Sequence, residues 1–170
     1  VFENKITGGA IPKEYIPAVE HGMRQALKEG PLSKHPVVDI KATLFDGKYH
    51  EVDSSERAFE ATGAIALKSG VLKGAPVIME PVMEVEVVAP QEYTGDIIGD
   101  LSSRAATVTG IEPSATGMQT IIAHVPLARM FGYATGLRSA TQGRGTFSME
   151  FSHYQQVSEE TRKELIQNIA

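Results

Sequence analysis

The chain has 170 residues, 42% of them hydrophobic and 22% charged, a composition that suits one globular domain or two small ones. No apolar run approaches the roughly 20 residues of a membrane span, and with no cysteine there is no disulfide and no thiolate catalysis. The formal net charge of −5 is uneven: residues 1–75 hold ten basic and ten acidic side chains, residues 76–157 four arginines against eight carboxylates. That balance argues against a protein that grips nucleic acid by bulk charge; any RNA contact has to be local or helped by further parts of a longer chain.

The chain opens on Val1-Phe2-Glu3, as if in the middle of a strand, and we expect a piece of a longer polypeptide. Phe2–Ile6 is predicted as a strand broken by Thr7-Gly8-Gly9. Pro12 and Pro17 set up a helix, since proline is tolerated where the first-turn N–H would lack a partner. Val19, Met23, Ala26 and Leu27 give it an apolar face, and Gly30-Pro31 ends it. Val38, Ile40, Ala42 and Leu44 alternate as a strand with one buried face. Asp46-Gly47 then predicts a turn. Asp53 or Ser54 caps the next helix, with Glu56 completing a capping-box-like pattern and Phe59, Ile65 and Ala66 forming its apolar side. Small residues at Gly74-Ala75-Pro76 mark the domain boundary.

In the second half Val82, Val85 and Val87 mark a strand ending at Pro90. Gln91–Arg104 is predicted as a helix burying Ile97, Ile98 and Leu101, with Gly95 and Gly99 letting it approach a sheet closely. Ala106–Ile111 and Met118–Val125 form a hairpin around Glu112–Gly117. Leu127, Met130, Ala134 and Leu137 make a second helix, and Phe147, Met149 and Phe151 alternate along a last strand. The order βαββαβ is the ferredoxin-like motif. Ser158–Ile169 is a capped terminal helix with Leu165, Ile166 and Ile169 inward.

Reactive constellations are missing. There is no phosphate-binding GxxxxGK[ST] loop, no HExxH, no Cys/His cluster and no GxSxG elbow. His21, His35, His124 and His153 show no ligand spacing, and we expect no metal site. Glu84 and Glu86 are read as a solvated strand face opposite buried Val85 and Val87. Two stretches stand out. In "TQGRGTFSMEF" the glycines around Arg144 either permit a positive φ or free a guanidinium for bidentate phosphate contact; the residues alone leave these equal. In "FDGKYHEVDSSE" His50 lies on a loop between a strand and a helix, where it either recognises a partner or merely caps the helix or is solvated.

Longer stretches carry a resemblance. "NKITGGAIPKEYIPAVEHGMRQAL", "ATLFDGKYHEVDSSERAF", "EPVMEVEVVAPQEYTGDIIGDL" and "PLARMFGYATGLRSATQGRGTFSMEF" together resemble the C-terminal part of bacterial elongation factor G, a translational GTPase. One departure is "DLSSRAATVTG", with Arg104 alone where family members commonly show an Arg-rich run. The resemblance implies an α+β fold of two small α/β-sandwich domains. Residues 1–75 would be the later part of the fourth domain, a partial ribosomal-protein-S5-like unit. Residues 76–157 would be the ferredoxin-like fifth domain, and residues 158–170 a terminal helix packing back toward the fourth. It also implies a ribosome-contacting part of a factor that moves tRNA and mRNA. GTP and Mg²⁺ would belong to an N-terminal GTPase domain, so these residues would need no cofactor and carry no catalytic group. The expected tip, entering the decoding region beside tRNA, is Asp46, Gly47, Lys48, Tyr49, His50, Glu51, Asp53 and Ser54. The expected fifth-domain contact with ribosomal RNA or protein is Arg138, Gln142, Gly143 and Arg144. The implied setting is a bacterial cytoplasm in preference to a mitochondrial matrix, with no membrane or DNA partner. The alternatives are a ribosome recycling or protection relative, and a small-molecule-binding regulatory module of ferredoxin-like type.

Overall fold

In the computed structural model, which describes residues 1–114 and 117–167, the chain divides into two units. One comprises Val1–Ile78 with the residues from Ser158 onward, the other Met79–Val157. The tip of the expected hairpin at Ala115 and Thr116, and Ile169 of the expected last helix, lie outside the described residues.

In the first unit β1 (Phe2–Asn4) pairs in parallel with β2 (Ala42–Leu44), Phe2 opposite Ala42 and Asn4 opposite Leu44. Parallel neighbours need a long crossover, and α1 (Ile16–Lys28) lies within it. Both strands are shorter than expected. The Asn4 side chain turns the chain by accepting from the Ile6 N–H at 3.0 Å. Asp39 sits at φ 55°, which breaks the alternation before β2 and leaves Val38 exposed.

The two helices of this unit meet through glycine. α1 buries Ala18, Val19, Gly22 and Ala26; α2 (Glu56–Lys73) buries Phe59, Gly63 and Leu67. A Cβ on Gly22 would overlap the Glu60 carbonyl, and one on Gly63 would lie 2.7 Å from the Val19 oxygen. The α2 face expected from the sequence is therefore the wrong stripe: Ile65 is 69% exposed and Ala66 is exposed. Gly63 carries no apolar signal, so the i, i+4, i+8 series from Phe59 is invisible to hydrophobic periodicity. Ile11, Ala18, Val19, Leu44 and Phe59 form the core here. In the terminal helix α5 (Glu159–Gln167), Ser158 accepts from the Thr161 N–H at 3.2 Å as its cap.

The second unit is an antiparallel sheet in the order β4-β5-β3-β6, with β3 Met79–Pro90, β4 Thr107–Pro113, β5 Met118–Pro126 and β6 Thr146–Gln156. With α3 (Thr94–Ser103) and α4 (Tyr133–Ala140) this is the ferredoxin-like βαββαβ arrangement. The core joins Val85, Val87, Ile121, Ala123 and Val125 of the sheet to Ile97, Leu101, Tyr133 and Leu137 of the helices. Glu84 and Glu86 are exposed on the other face.

Three expectations fail here. Gly95 and Gly99 face open space, with nothing within 4 Å of an added Cβ. They lie two residues, about 200° around the helix, from buried Ile97 and Leu101. Gly132, at φ 75°, starts α4 at Tyr133, later than expected. The buried series is thus Met130, Tyr133, Leu137, and Ala134 is exposed. On β6 Phe147 packs under Tyr133, rings 4.9 Å apart, but Phe151 is 56% exposed and Met149 nearly as open. The eight residues of α4 extend only about 12 Å, too short to cover an eleven-residue strand.

Candidate nucleic-acid interface

Between Leu44, buried at the end of β2, and Ser55, the chain forms an exposed loop held at several points. Gly47 keeps an ordinary φ, so the expected Asp46-Gly47 turn is not a left-handed one. Its N–H instead bonds the Asp46 carboxylate at 2.8 Å, and its backbone lies against Ile11, where a Cβ would come within 2.6 Å of Cγ1. The chain reverses later. The Ser54 N–H donates to the His50 carbonyl at 3.0 Å, and the His50 N–H donates to the Ser54 hydroxyl at 3.0 Å. This reciprocal pair closes the turn over Glu51–Asp53.

Ser54 is therefore occupied, and the cap of α2 is Ser55, one residue after Ser54 and two after Asp53, the two caps expected. Ser55 accepts from the Ala58 N–H at 3.1 Å. Glu56 is then the first helical residue, so no capping box forms.

Aromatic stacking holds the other side of the loop. Tyr49 stacks on Tyr15 (centroids 5.9 Å apart, planes 27°), and Tyr15 stacks on buried Phe59 (4.9 Å, 19°). Desolvation, then the nearby Tyr15, Glu51 and Glu14, raises the Tyr49 pKa above its ordinary value. Tyr15 escaped sequence reasoning because it lies 34 positions from Tyr49 in the chain and nothing local ties them. With Tyr49 engaged, the loop presents Lys48, His50, Glu51, Val52 and Asp53 to solvent. The His50 ring has no hydrogen-bond partner among the described residues. Asp46, Glu51 and Asp53 outnumber Lys48, so the loop suits base edges and ring faces better than phosphates. Beneath it a cavity of about 250 Å³ is lined by Ile11, Val19, Met23, Leu44 and Phe59.

In the second unit the residues expected to act together share one turn, the Gly143 N–H donating to the Arg138 carbonyl at 2.8 Å, but their side chains differ in what they already hold. The Arg144 guanidinium is ion-paired with Glu92, bonded to the Tyr93 hydroxyl and 4.9 Å over the Tyr93 ring. The Tyr93 and Glu92 contacts hold its pKa above the ordinary arginine value. The flanking glycines have structural reasons. Gly143 takes φ 78°, and a Cβ on Gly145 would meet Thr141 at 2.9 Å. Arg138 and Gln142 are exposed, and Arg138 forms no ion pair among the described residues.

The histidines also regroup. His124 and His153, on β5 and β6, stand edge to face at 5.3 Å. The Ser152 hydroxyl lies between them, 3.4 Å from His124 and 3.0 Å from His153, and Glu84 is 3.4 Å from His124. Ser152 is the extra residue of a β-bulge, since β3 pairs Val82 with His153 and Met83 with Phe151. Their spacing in sequence carries no hint of this. Among the described residues no group of His, Cys, Asp or Glu has a metal-holding arrangement.

The chain thus carries a parallel-stranded α/β unit bearing a pinned, exposed loop, followed in the sequence by a ferredoxin-like unit. The family model for elongation factor G, domain IV, matches residues 1–75, and that for the elongation factor G C-terminus matches residues 77–165. The chain belongs to the elongation factor G family. It is also similar to a protein from Thermus thermophilus of known crystal structure, at 39% identity and a TM-score of 0.86. The match covers 98% of this chain and 25% of that one, so the chain spans about a quarter of its length.

Proposed function

We propose that this chain is the ribosome-contacting part of a factor that promotes GTP-dependent movement of tRNA and mRNA, and that its loop from Asp46 to Ser54 enters the decoding region. The observation that carries the reading is the loop itself, in a chain of this family. Two reciprocal hydrogen bonds and a three-ring stack hold it, while both His50 ring nitrogens are free of partners among the described residues. Unpaired RNA is recognised by stacking and by hydrogen bonds to base edges, and an imidazole supplies both. The role is contact, with no bond made or broken, and GTP hydrolysis lies with another part of the protein that uses GTP and Mg²⁺. In the second unit Arg138 and Gln142 are the side chains ready to meet ribosomal RNA or protein; Arg144 would first have to leave Glu92 and Tyr93.

The test is a full-length elongation factor G carrying this sequence as its C-terminal part, with translocation and GTP hydrolysis measured on the same ribosomes. A stacked base contributes about 1–3 kcal/mol, and each ~1.4 kcal/mol lost from a transition state slows the step about tenfold. His50→Ala should slow translocation severalfold or more and leave hydrolysis nearly intact. Normal translocation, or an equal loss in both rates, would remove RNA contact as the role of His50.

A further inference from the structure

The second unit carries an unused exposed aromatic in the part of its sequence that is free of carboxylates. Between Glu112 and Glu150 there is no Asp or Glu, and this run holds Arg129, Arg138 and Arg144. Arg144 is neutralised by Glu92. Arg129 and Arg138 make no ion pair among the described residues. Between the 3-10 turn Leu127–Arg129 and α4 stands Phe131, 82% exposed.

Its exposure is built into the fold. Met130 and Tyr133 on either side are buried. The Met130 N–H donates to the Leu127 carbonyl at 3.0 Å, and the Tyr133 N–H to the Met130 carbonyl at 3.1 Å. Gly132 takes the left-handed φ that turns the chain into α4. Arg104 clamps the loop from outside, donating to the carbonyls of Arg129 at 2.7 Å and Phe131 at 3.3 Å. Arg104 is itself held by Asp100 at 3.0 Å and lies 5.1 Å over the Tyr133 ring. The loop so anchored leaves the Phe131 ring open to solvent. Ala128, Gly132 and Ala134, its small neighbours, are exposed too, so nothing bulky beside it in the chain shields the ring.

We propose that Phe131 is a stacking platform for one unpaired RNA nucleotide, with Arg129 meeting the adjoining phosphate. An exposed flat ring, two residues after an exposed arginine that makes no ion pair among the described residues, matches a base and its phosphate. One ring on a rim of small residues is too little apolar surface for a protein interface, which commonly takes about 800 Å² per partner. The choice of RNA over other polyanions rests on the ribosomal reading above.

The test is a titration of the isotope-labelled 170-residue chain with a single-stranded oligoadenylate dodecamer at low salt, followed by amide NMR. Shifts should centre on residues 128–134. Phe131→Leu should weaken binding by roughly 5- to 160-fold, the loss of one base stack, and Phe131→Tyr should retain it. Arg129→Gln should lower the slope of log affinity against log salt by about 0.7. An unchanged spectrum in the Phe131→Leu variant would show it still folded. Equal binding by that variant, or no saturable binding by the wild type, would overturn the proposal. If Phe131→Leu weakened binding to intact large ribosomal subunits while the protein-free RNA never bound, the surface would belong to a ribosomal protein, overturning it as well. Shifts at residues 46–54 in the same spectra report on the tip loop separately, so either reading can fail alone.

Discussion

Tyr15 tests how the tip loop is held. Replacing it with leucine keeps an apolar side chain but removes two ring pairs, Tyr15–Tyr49 and Tyr15–Phe59. Each such pair is worth about 0.5–1.5 kcal/mol beyond its buried area, so the variant loses about 1–3 kcal/mol in all. The two losses fall in different places. Phe59 is buried in the core of the first unit, so that share lowers the stability of the whole unit. Tyr49 belongs to the loop, so the other share is the free energy that keeps the loop closed. A loss of about 0.5–1.5 kcal/mol there opens the loop roughly 2- to 13-fold more often. The amides of His50 and Ser54, which close the turn, should exchange with solvent faster by that factor. Hydrogen exchange read by NMR on the intact chain measures it, with urea unfolding giving the global share. Unchanged protection at His50 and Ser54 in a destabilised Tyr15→Leu protein would show that the ladder does not hold the loop.

The glycines separate by position. Gly22→Ala and Gly63→Ala should each destabilise the first unit by more than about 1 kcal/mol, since the new methyl meets backbone that cannot yield without parting the helices. Gly95→Ala and Gly99→Ala, on an open helix face, should each stabilise the second unit by about 0.5–1 kcal/mol; denaturant midpoints check both pairs. Tyr133 gives a pH prediction. Its hydroxyl is buried with no hydrogen-bond partner among the described residues, and burial pushes its pKa up to about 12. An unfolded tyrosine ionises near 10, so its contribution to stability is fully present below about pH 10 and is lost as pH rises from there through about 12. That difference between the folded and unfolded protein corresponds to about 2–3 kcal/mol. Tyr133→Phe should abolish that alkaline loss and be neutral or stabilising at pH 8, because it deletes an unsatisfied hydroxyl. Urea unfolding at pH 8 and pH 11 would show it, and an identical alkaline decline in both proteins would refute it.

Local pattern determined much of this protein. The βαββαβ order, the burial of Val85, Val87, Ile97 and Leu101, and the solvated Glu84 and Glu86 follow from periods of two and 3.6, which are properties of neighbouring residues. The loop carrying His50 was legible for the same reason, since a short strand and a capped helix bracket it. Only the tertiary structure decided what each exposed group can do. Tyr49 is held because Tyr15 arrives from another element, Arg144 is engaged because Glu92 and Tyr93 lie opposite it, and His124 meets His153 across β3 through a bulge at Ser152. Where the pattern misled, packing had overridden it: Gly63 rather than Ile65 faces α1, because close approach of two helices selects for the absence of a side chain. Met149 and Phe151 stay uncovered because covering them depends on the length of α4. Such pairings are set by which surfaces meet after folding, and no window along the chain contains both partners.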